Sequence, residues 1–192
     1  MIRKRKAPGA GERFLHFVRH GEHSKDEKLK GGLTPLGRRQ ARLIAEYFRG
    51  LPIVSIRSSD LPRAKETADI VARRLRAGRV TRHRVLREML PAEVPSMAIP
   101  ARTLVDGRRR LNQILRSFFR RSRGVRHEIV VCHGNLIRAL VLRVAVGGPQ
   151  GFHRFRIHHG GVTSFVVSSS GKIAVVGFNS VAHMPEQLRT YA

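Results

Sequence analysis

The stretch Phe14-Leu15-His16-Phe17-Val18-Arg19-His20-Gly21-Glu22 decides how the rest of the chain is read. Its apolar run alternates poorly, which predicts a strand buried on both faces from about Arg13 to Arg19. The run stops at a basic, imidazole-bearing turn closed by a glycine. In an open α/β sheet such turns lie at the carboxyl ends of strands, where the crevice for ligands opens. Gly21 lets the backbone approach an anion without interference from a Cβ.

Outward from that stretch, strand and helix patterns alternate. Glu22 to Gly32 is polar, charged and glycine-terminated, as expected of a mobile loop over the crevice. Thr34-Pro35 opens a helix as N-cap and first-turn proline, with Leu36, Ala41, Ile44, Ala45 and Phe48 on one face and Gly50 as its stop. Ile53 to Ile56 predicts a second strand, breaking at Arg57-Ser58-Ser59-Asp60 into a helix through Leu61-Pro62. On that helix Ala64, Ala68, Val71 and Leu75 face the sheet, and Arg63 sits in the first turn. Val80 to Leu86 predicts a third, basic strand ending in Arg87-Glu88, and Met89 to Pro100, with three prolines, an irregular cover. A long helix is expected from about Ala101 to Arg121, striped by Leu104, Leu111, Ile114, Leu115 and Phe118. Ile129 to Cys132 predicts a strand that breaks at His133-Gly134-Asn135 into an apolar helix, Leu136 to Val146. Val162 to Val167 and Lys172 to Phe178 predict a closing β-hairpin, and the tail from His183 is unassigned. The alternation predicts an α/β three-layer sandwich: a mostly parallel central sheet, helices on both faces and an antiparallel edge hairpin.

The 192 residues suit a single domain, taken as 13–192 behind a basic disordered tail, 1–12. No apolar window is long enough to span a bilayer and no apolar stretch follows the basic start, so we expect a soluble, cytoplasmic protein. The single Cys132 lies in an apolar strand pattern and reads as a buried thiol. Thirty-eight Lys+Arg against 13 Asp+Glu give a formal charge of +25, which favours anionic partners: phosphate esters, polyphosphates, nucleic acid or acidic surfaces. A general drift towards arginine would produce the same excess.

Four turns at strand ends carry Arg19-His20-Gly21, Arg57-Ser58-Ser59 with Arg63, Arg87-Glu88, and His133-Gly134-Asn135. Two arginines and two histidines converging there make a site for a dianion, since guanidinium forks match phosphate oxygens and helix-end N–H groups add donors. One imidazole of the pair can attack phosphorus, helped by nearby cations that disfavour its protonated form. Glu88 is the carboxylate placed to protonate a leaving alkoxide. Burial would raise its pKa as that role requires, and the arginines would lower it.

The Arg19-His20-Gly21 turn, Thr34-Pro35-Leu36-Gly37, Ser59-x-x-x-Arg63-Ala64-x-x-Thr67, Glu88 and Cys132-His133-Gly134-Asn135 together resemble the histidine phosphatase superfamily, with its phosphoglycerate-mutase-like fold. Leu33 to Ala41, Asn135 to Arg138 and the closing hairpin look most like its branch of mitochondrial serine/threonine protein phosphatases and their bacterial relatives. The resemblance implies His20 as the phosphorylated nucleophile, Arg19, Arg63, His133 and Gly134 as the phosphate pocket, and Glu88 as proton donor. It implies no metal and no organic cofactor, and a phosphorylated protein or small phosphate ester as substrate. The mutases of this fold usually carry larger insertions, so the shorter chain favours a phosphatase over mutase-type phosphoryl transfer. His158-His159 reads either as loop ahead of a strand or as added donors for the pocket, and His20-x-x-His23 lacks the third ligand that a metal site needs. His83, His127 and His153 read as surface residues. A nucleic-acid-binding module is the competing class. An aromatic content of 6% without tryptophan argues against stacking platforms for single strands.

Overall fold

In the computed structural model, which describes residues 11–24, 31–89, 100–147 and 151–191, β1 (Arg13–Arg19) runs through the interior of a six-stranded sheet. Its neighbours are β4 (Arg126–Cys132), parallel, and β5 (Val162–Val167), antiparallel. Beyond β4 come β2 (Ile53–Ser58) and β3 (Thr81–Arg82), both parallel, and beyond β5 lies β6 (Ile173–Ser180), giving the order β3-β2-β4-β1-β5-β6. The mostly parallel sheet and the antiparallel edge hairpin are those expected.

Alternation along β1 assigns the two layers. Leu15 and Phe17 pack with Val130, Cys132 and Phe165 under α3 (Ala101–Phe118) and α4 (Gly134–Ala145). Val18, Ile129 and Val131 pack with Ile44, Phe48, Ala64, Ala68 and Val71 from α1 (Pro35–Tyr47) and α2 (Pro62–Leu75). Both faces of β1 are therefore covered, which explains its near-continuous apolar run. Thr34 caps α1 by accepting from the Gly37 amide at 3.0 Å, ahead of Pro35 at the first helical position.

Several boundaries moved. β2 continues two residues past Ile56, α3 stops at Phe118 and α4 begins at Gly134. The expected third strand is only Thr81–Arg82; Arg84–Leu86 is a 3-10 turn, because Leu86 is drawn fully into the core under α3. The expected basic tail, the Met89–Pro100 cover and the centre of the Glu22–Gly32 loop lie largely or wholly outside the described residues. Arg57 does not join the crevice: it pairs with the buried Glu128, which also binds Arg13 and Ser55. No helix among the described residues is long and apolar enough to cross a membrane.

Candidate active site

β1 and β4 end side by side, with Arg19 opposite Cys132, so the two His-Gly turns emerge together. The rings of His20 and His133 lie 5.1 Å apart at 63°. His20 is 2% exposed and His133 fully buried. Arg63, one residue into α2, directs its Nε–H at His20 Nε2 from 3.0 Å. Guanidinium only donates, so Nε2 offers its lone pair, and His20 Nδ1–H donates to the Gly21 carbonyl at 2.8 Å. His20 is thereby held as the Nδ1–H tautomer, with a nucleophilic Nε2 facing the crevice.

A similar inference orients His133. The Leu61 amide donates to Ser59 Oγ at 3.2 Å, and the same hydroxyl lies 2.9 Å from His133 Nε2. When the hydroxyl donates to Nε2, His133 carries its hydrogen on Nδ1, a buried atom with no hydrogen-bond partner among the described residues. Arg19 Nε is in the same condition, while its Nη1 donates to the Ile157 carbonyl and its Nη2 to His159 Nε2 at 3.0 Å. A buried donor left unspent costs free energy, so Arg19 Nε, on a guanidinium that neighbours His20 together with Arg63, marks a place for an anion.

The charges reinforce that arrangement. Burial, then the neighbouring His133, holds His20 well below the ordinary imidazole range, with Arg63 and Arg19 adding to the effect. Burial and the same arginines push His133 down to about 3. Arg19 falls to about 10, chiefly through burial, and stays charged at neutral pH. For Glu88 the competition left open by the sequence goes to burial. Its pKa is raised despite amide hydrogen bonds from Met89 and Leu136 and the charges of Arg19 and Arg63.

The structure thus brings together Arg19, His20, Arg63, Glu88, His133 and Gly134, the first residue of α4. Arg87 turns away to a two-pronged pair with Asp60, at 2.7 Å on each oxygen. Gly21 has a different use from the one expected. A Cβ there would stand 2.5 Å from the Gly37 carbonyl oxygen, so the glycine permits the His20 turn to rest on the first turn of α1.

Of the two readings of His158-His159, His159 is not a loop bystander: it is buried, its ring lies 5.7 Å from that of His20, and it accepts from Arg19 while facing Thr190 Oγ1 at 2.9 Å. The sequence signal was only a second histidine before Gly160, and the partner that buries it comes from the unassigned tail. His158 instead faces Asn179 and Tyr191. His127 is not a plain surface residue either; it is half-buried, stacking on Phe14 and His16 and meeting His16 Nε2 at 3.1 Å. The side chain of His153 lies outside the described residues.

His159 also supplies the third imidazole that His20-x-x-His23 lacked: one nitrogen of each ring lies within 4.8 Å of the others. A cation entering there would have to displace the Arg63 and Arg19 N–H groups facing His20 and His159. An anion joins them. The donor set therefore favours a phosphate over a metal ion.

Comparison with known proteins gives the chain's family and fold neighbours. The family model described as "Histidine phosphatase superfamily (branch 1)" matches residues 15–97 and 91–180. The human mitochondrial serine/threonine-protein phosphatase PGAM5 is 30% identical over 185 residues, 90% of this chain and 64% of its own. The Caenorhabditis elegans protein of that name is 26% identical, over 96% and 68%. The chain thus spans 64% of the length of the human protein. Among solved structures, a phosphoserine phosphatase variant from Entamoeba histolytica bound to phosphoserine has a TM-score of 0.67 at 20% identity, covering 90% of this chain and all of that one. A Plasmodium falciparum phosphoglycerate mutase has a TM-score of 0.64 at 23% identity, over 91% and 95%. At these identities the structural likeness speaks for the fold.

Proposed function

The chain belongs to the histidine phosphatase superfamily, and from that premise we propose that it hydrolyses phosphomonoesters, without a metal or organic cofactor, through a phosphohistidine at His20. The observation that supports this reading best is His20 Nε2 accepting from Arg63, with the His133 ring 5.1 Å away and with the neighbouring Arg19 Nε and His133 Nδ1 buried and unpartnered among the described residues. A phosphoryl group set between them satisfies both donors and faces the nucleophile.

In the first step Nε2 attacks phosphorus and the bond to the ester oxygen breaks. The departing alkoxide takes the proton of Glu88, which burial keeps available. Arg63 passes its hydrogen bond from Nε2 to a phosphoryl oxygen, where Arg19 and His133 already donate. In the second step a water attacks the phosphohistidine, Glu88 carboxylate takes its proton, and the Nε2–P electrons return to the imidazole as inorganic phosphate leaves. Glu88 thus ends the cycle protonated, as it began.

The substrate is proposed as a phosphoprotein or an anionic phosphometabolite. The human relative's name is that of a serine/threonine-protein phosphatase, and a fold neighbour is a phosphoserine phosphatase. Cytoplasmic location is kept as a proposal, although the named relatives are mitochondrial, and cell fractionation decides it.

Hydrolysis of p-nitrophenyl phosphate in EDTA tests the core of the reading. Wild type should turn over and form an acid-labile, alkali-stable phosphoenzyme, whereas His20→Ala should lose at least about 1000-fold in kcat/KM and form none. A His20→Ala protein as active as wild type overturns the mechanism. Interconversion of 2- and 3-phosphoglycerate faster than hydrolysis would make it a mutase.

A further inference from the structure

The carboxyl that gives and takes the proton rides on a turn with almost no regular structure of its own. Arg84–Leu86 is a single 3-10 turn, and Glu88 follows two residues after it. Such a segment has spare carbonyls and no ladder to hold it. Its fixings come from two arginines. Arg87 reaches back to Asp60, just ahead of α2. Arg110, midway along α3, spends its guanidinium on the backbone: Nη2 donates to the Val85 carbonyl at 3.1 Å and to the Arg87 carbonyl at 2.5 Å, and Nη1 to the Glu88 carbonyl at 3.3 Å. No carboxylate pairs with Arg110 within salt-bridge distance among the described residues. A surface arginine would extend into water. This one is half-buried and folded over three carbonyls of one turn, those of Val85, Arg87 and Glu88.

We propose that Arg110 is the positioning residue for Glu88, the planar fork on α3 that fixes the Val85–Glu88 backbone so that the carboxyl faces the phosphoryl pocket. The proposal rests on the reading of Glu88 as proton donor. Leu111 and Ile114, flanking Arg110 on α3, are in the core with Leu86 and Met89, so the helix that carries the fork is anchored to the turn it holds. A lysine has no planar fork, and its charge alone would not fix three carbonyls at once.

Leaving-group dependence provides the test. p-Nitrophenolate departs without a proton at neutral pH, whereas the alkoxide of phosphoserine or glycerol phosphate needs one. Loss of the donor therefore shows in kcat/KM for alkyl phosphates and hardly at all for the nitrophenyl ester. Glu88→Gln serves as the reference and should lose about 100-fold or more on the alkyl phosphates and less than about tenfold on the aryl ester. Arg110→Ala and Arg110→Lys should show the same selectivity at smaller size, about tenfold against less than about threefold. If Glu88→Gln loses both substrates equally, Glu88 is not the donor and the reading beneath this proposal fails. If Glu88→Gln is selective while both Arg110 variants are indiscriminate or silent, Arg110 has no positioning role and this proposal alone falls. Arg110→Lys matching wild type overturns it too, since charge rather than the fork would then be sufficient. Thermal unfolding of each variant checks the fold, and Arg110→Lys decides should Arg110→Ala not fold.

Discussion

Which nitrogen of a histidine carries its hydrogen is decided by neighbours, and at His133 that neighbour is Ser59. The Ser59 hydroxyl accepts from the Leu61 amide and faces His133 Nε2, and when it donates there the ring holds its hydrogen on Nδ1, the tautomer that the proposed phosphate site uses. Ser59→Ala should therefore release the tautomer and lower kcat/KM about tenfold, the worth of one hydrogen bond of ~1.4 kcal/mol. Equal kinetics in Ser59→Ala and wild type would show that the ring is oriented by something else. Neutral buried imidazoles also make the fold acid-sensitive. Burial and His127 lower His16 to about 4, and His133 and His159 lie at about 3. Their folded pKa values are depressed below an unfolded value near 6.5, so the stability they contribute is present above that pH and is lost as pH falls towards 4. At pH 5 each would cost about 2 kcal/mol relative to pH 7. Urea unfolding at the two pH values should show that fall, and His16→Gln should lessen it. A stability unchanged between pH 7 and 5 contradicts the neutral assignments. The sequence could name Glu88 but not the state of its carboxyl, because that depends on how far a turn is pulled into the core by Leu86, a distance no local pattern encodes.

At the scale of elements, the join between β1 and α1 places His20. The Glu22 amide donates to Gln40 Oε1 at 2.7 Å, the Thr34 amide to the Glu22 carbonyl at 3.1 Å, and the Thr34 hydroxyl to Glu22 Oε1 at 2.8 Å. The two backbones approach so closely that a Cβ on Gly37 would lie 1.9 Å from the Glu22 carbonyl oxygen. Gly37→Ala sets two effects against each other. Helix propensity favours alanine by about 1 kcal/mol, and overpacking against backbone typically costs 1–3 kcal/mol and here more, because neither partner is a flexible side chain. Overpacking should win: a net loss of about 2 kcal/mol is expected by thermal unfolding. The remaining folded enzyme should also be slower, since Glu22 moves and His20 with it. A Gly37→Ala protein more stable than wild type and fully active would show that this contact is loose. Gly37 was legible as part of a helix start, and the reason for glycine was not, because the clashing oxygen belongs to another element. The same limit explains β3. Val80 to Leu86 has strand-like composition, but only Thr81 and Arg82 find partners on β2, and the edge gives way once Leu86 turns inward. The buried strands, α1 with its Thr-Pro cap and the closing hairpin were legible because their signals are local. For His159 the sequence left loop and pocket both open, because its placement depends on Thr190 and Arg19, far along the chain.

For the whole molecule the decisive quantity is the charge of +25. Its few carboxylates are concentrated on particular partners: Glu128 takes Arg13 and Arg57, Glu46 takes Arg49 and Arg74, and Asp60, Glu66 and Asp69 take Arg87, Arg38 and Arg82. Arg102, Arg108, Arg109 and Arg116 on α3 have no carboxylate within salt-bridge distance among the described residues. The helix that carries Arg110 therefore presents an uncompensated positive field beside the site. Such a field speeds the arrival of anions and leaves the chemistry unchanged. It also fades as the Debye length shrinks from about 30 Å at 0.01 M salt to about 8 Å at 0.15 M. For a small dianionic substrate, kcat/KM should fall about tenfold across that range while kcat hardly moves. Salt-independent kcat/KM would mean that the arginine excess does nothing for substrate capture. Duplex DNA separates this from the competing view of the chain as a nucleic-acid binder. If the field merely attracts polyanions, DNA should inhibit at low salt and release fully near 0.15 M. Submicromolar binding that survives 0.15 M salt and is untouched by His20→Ala would instead make polyanion recognition a function of the surface, with the phosphatase site a separate inheritance of the fold.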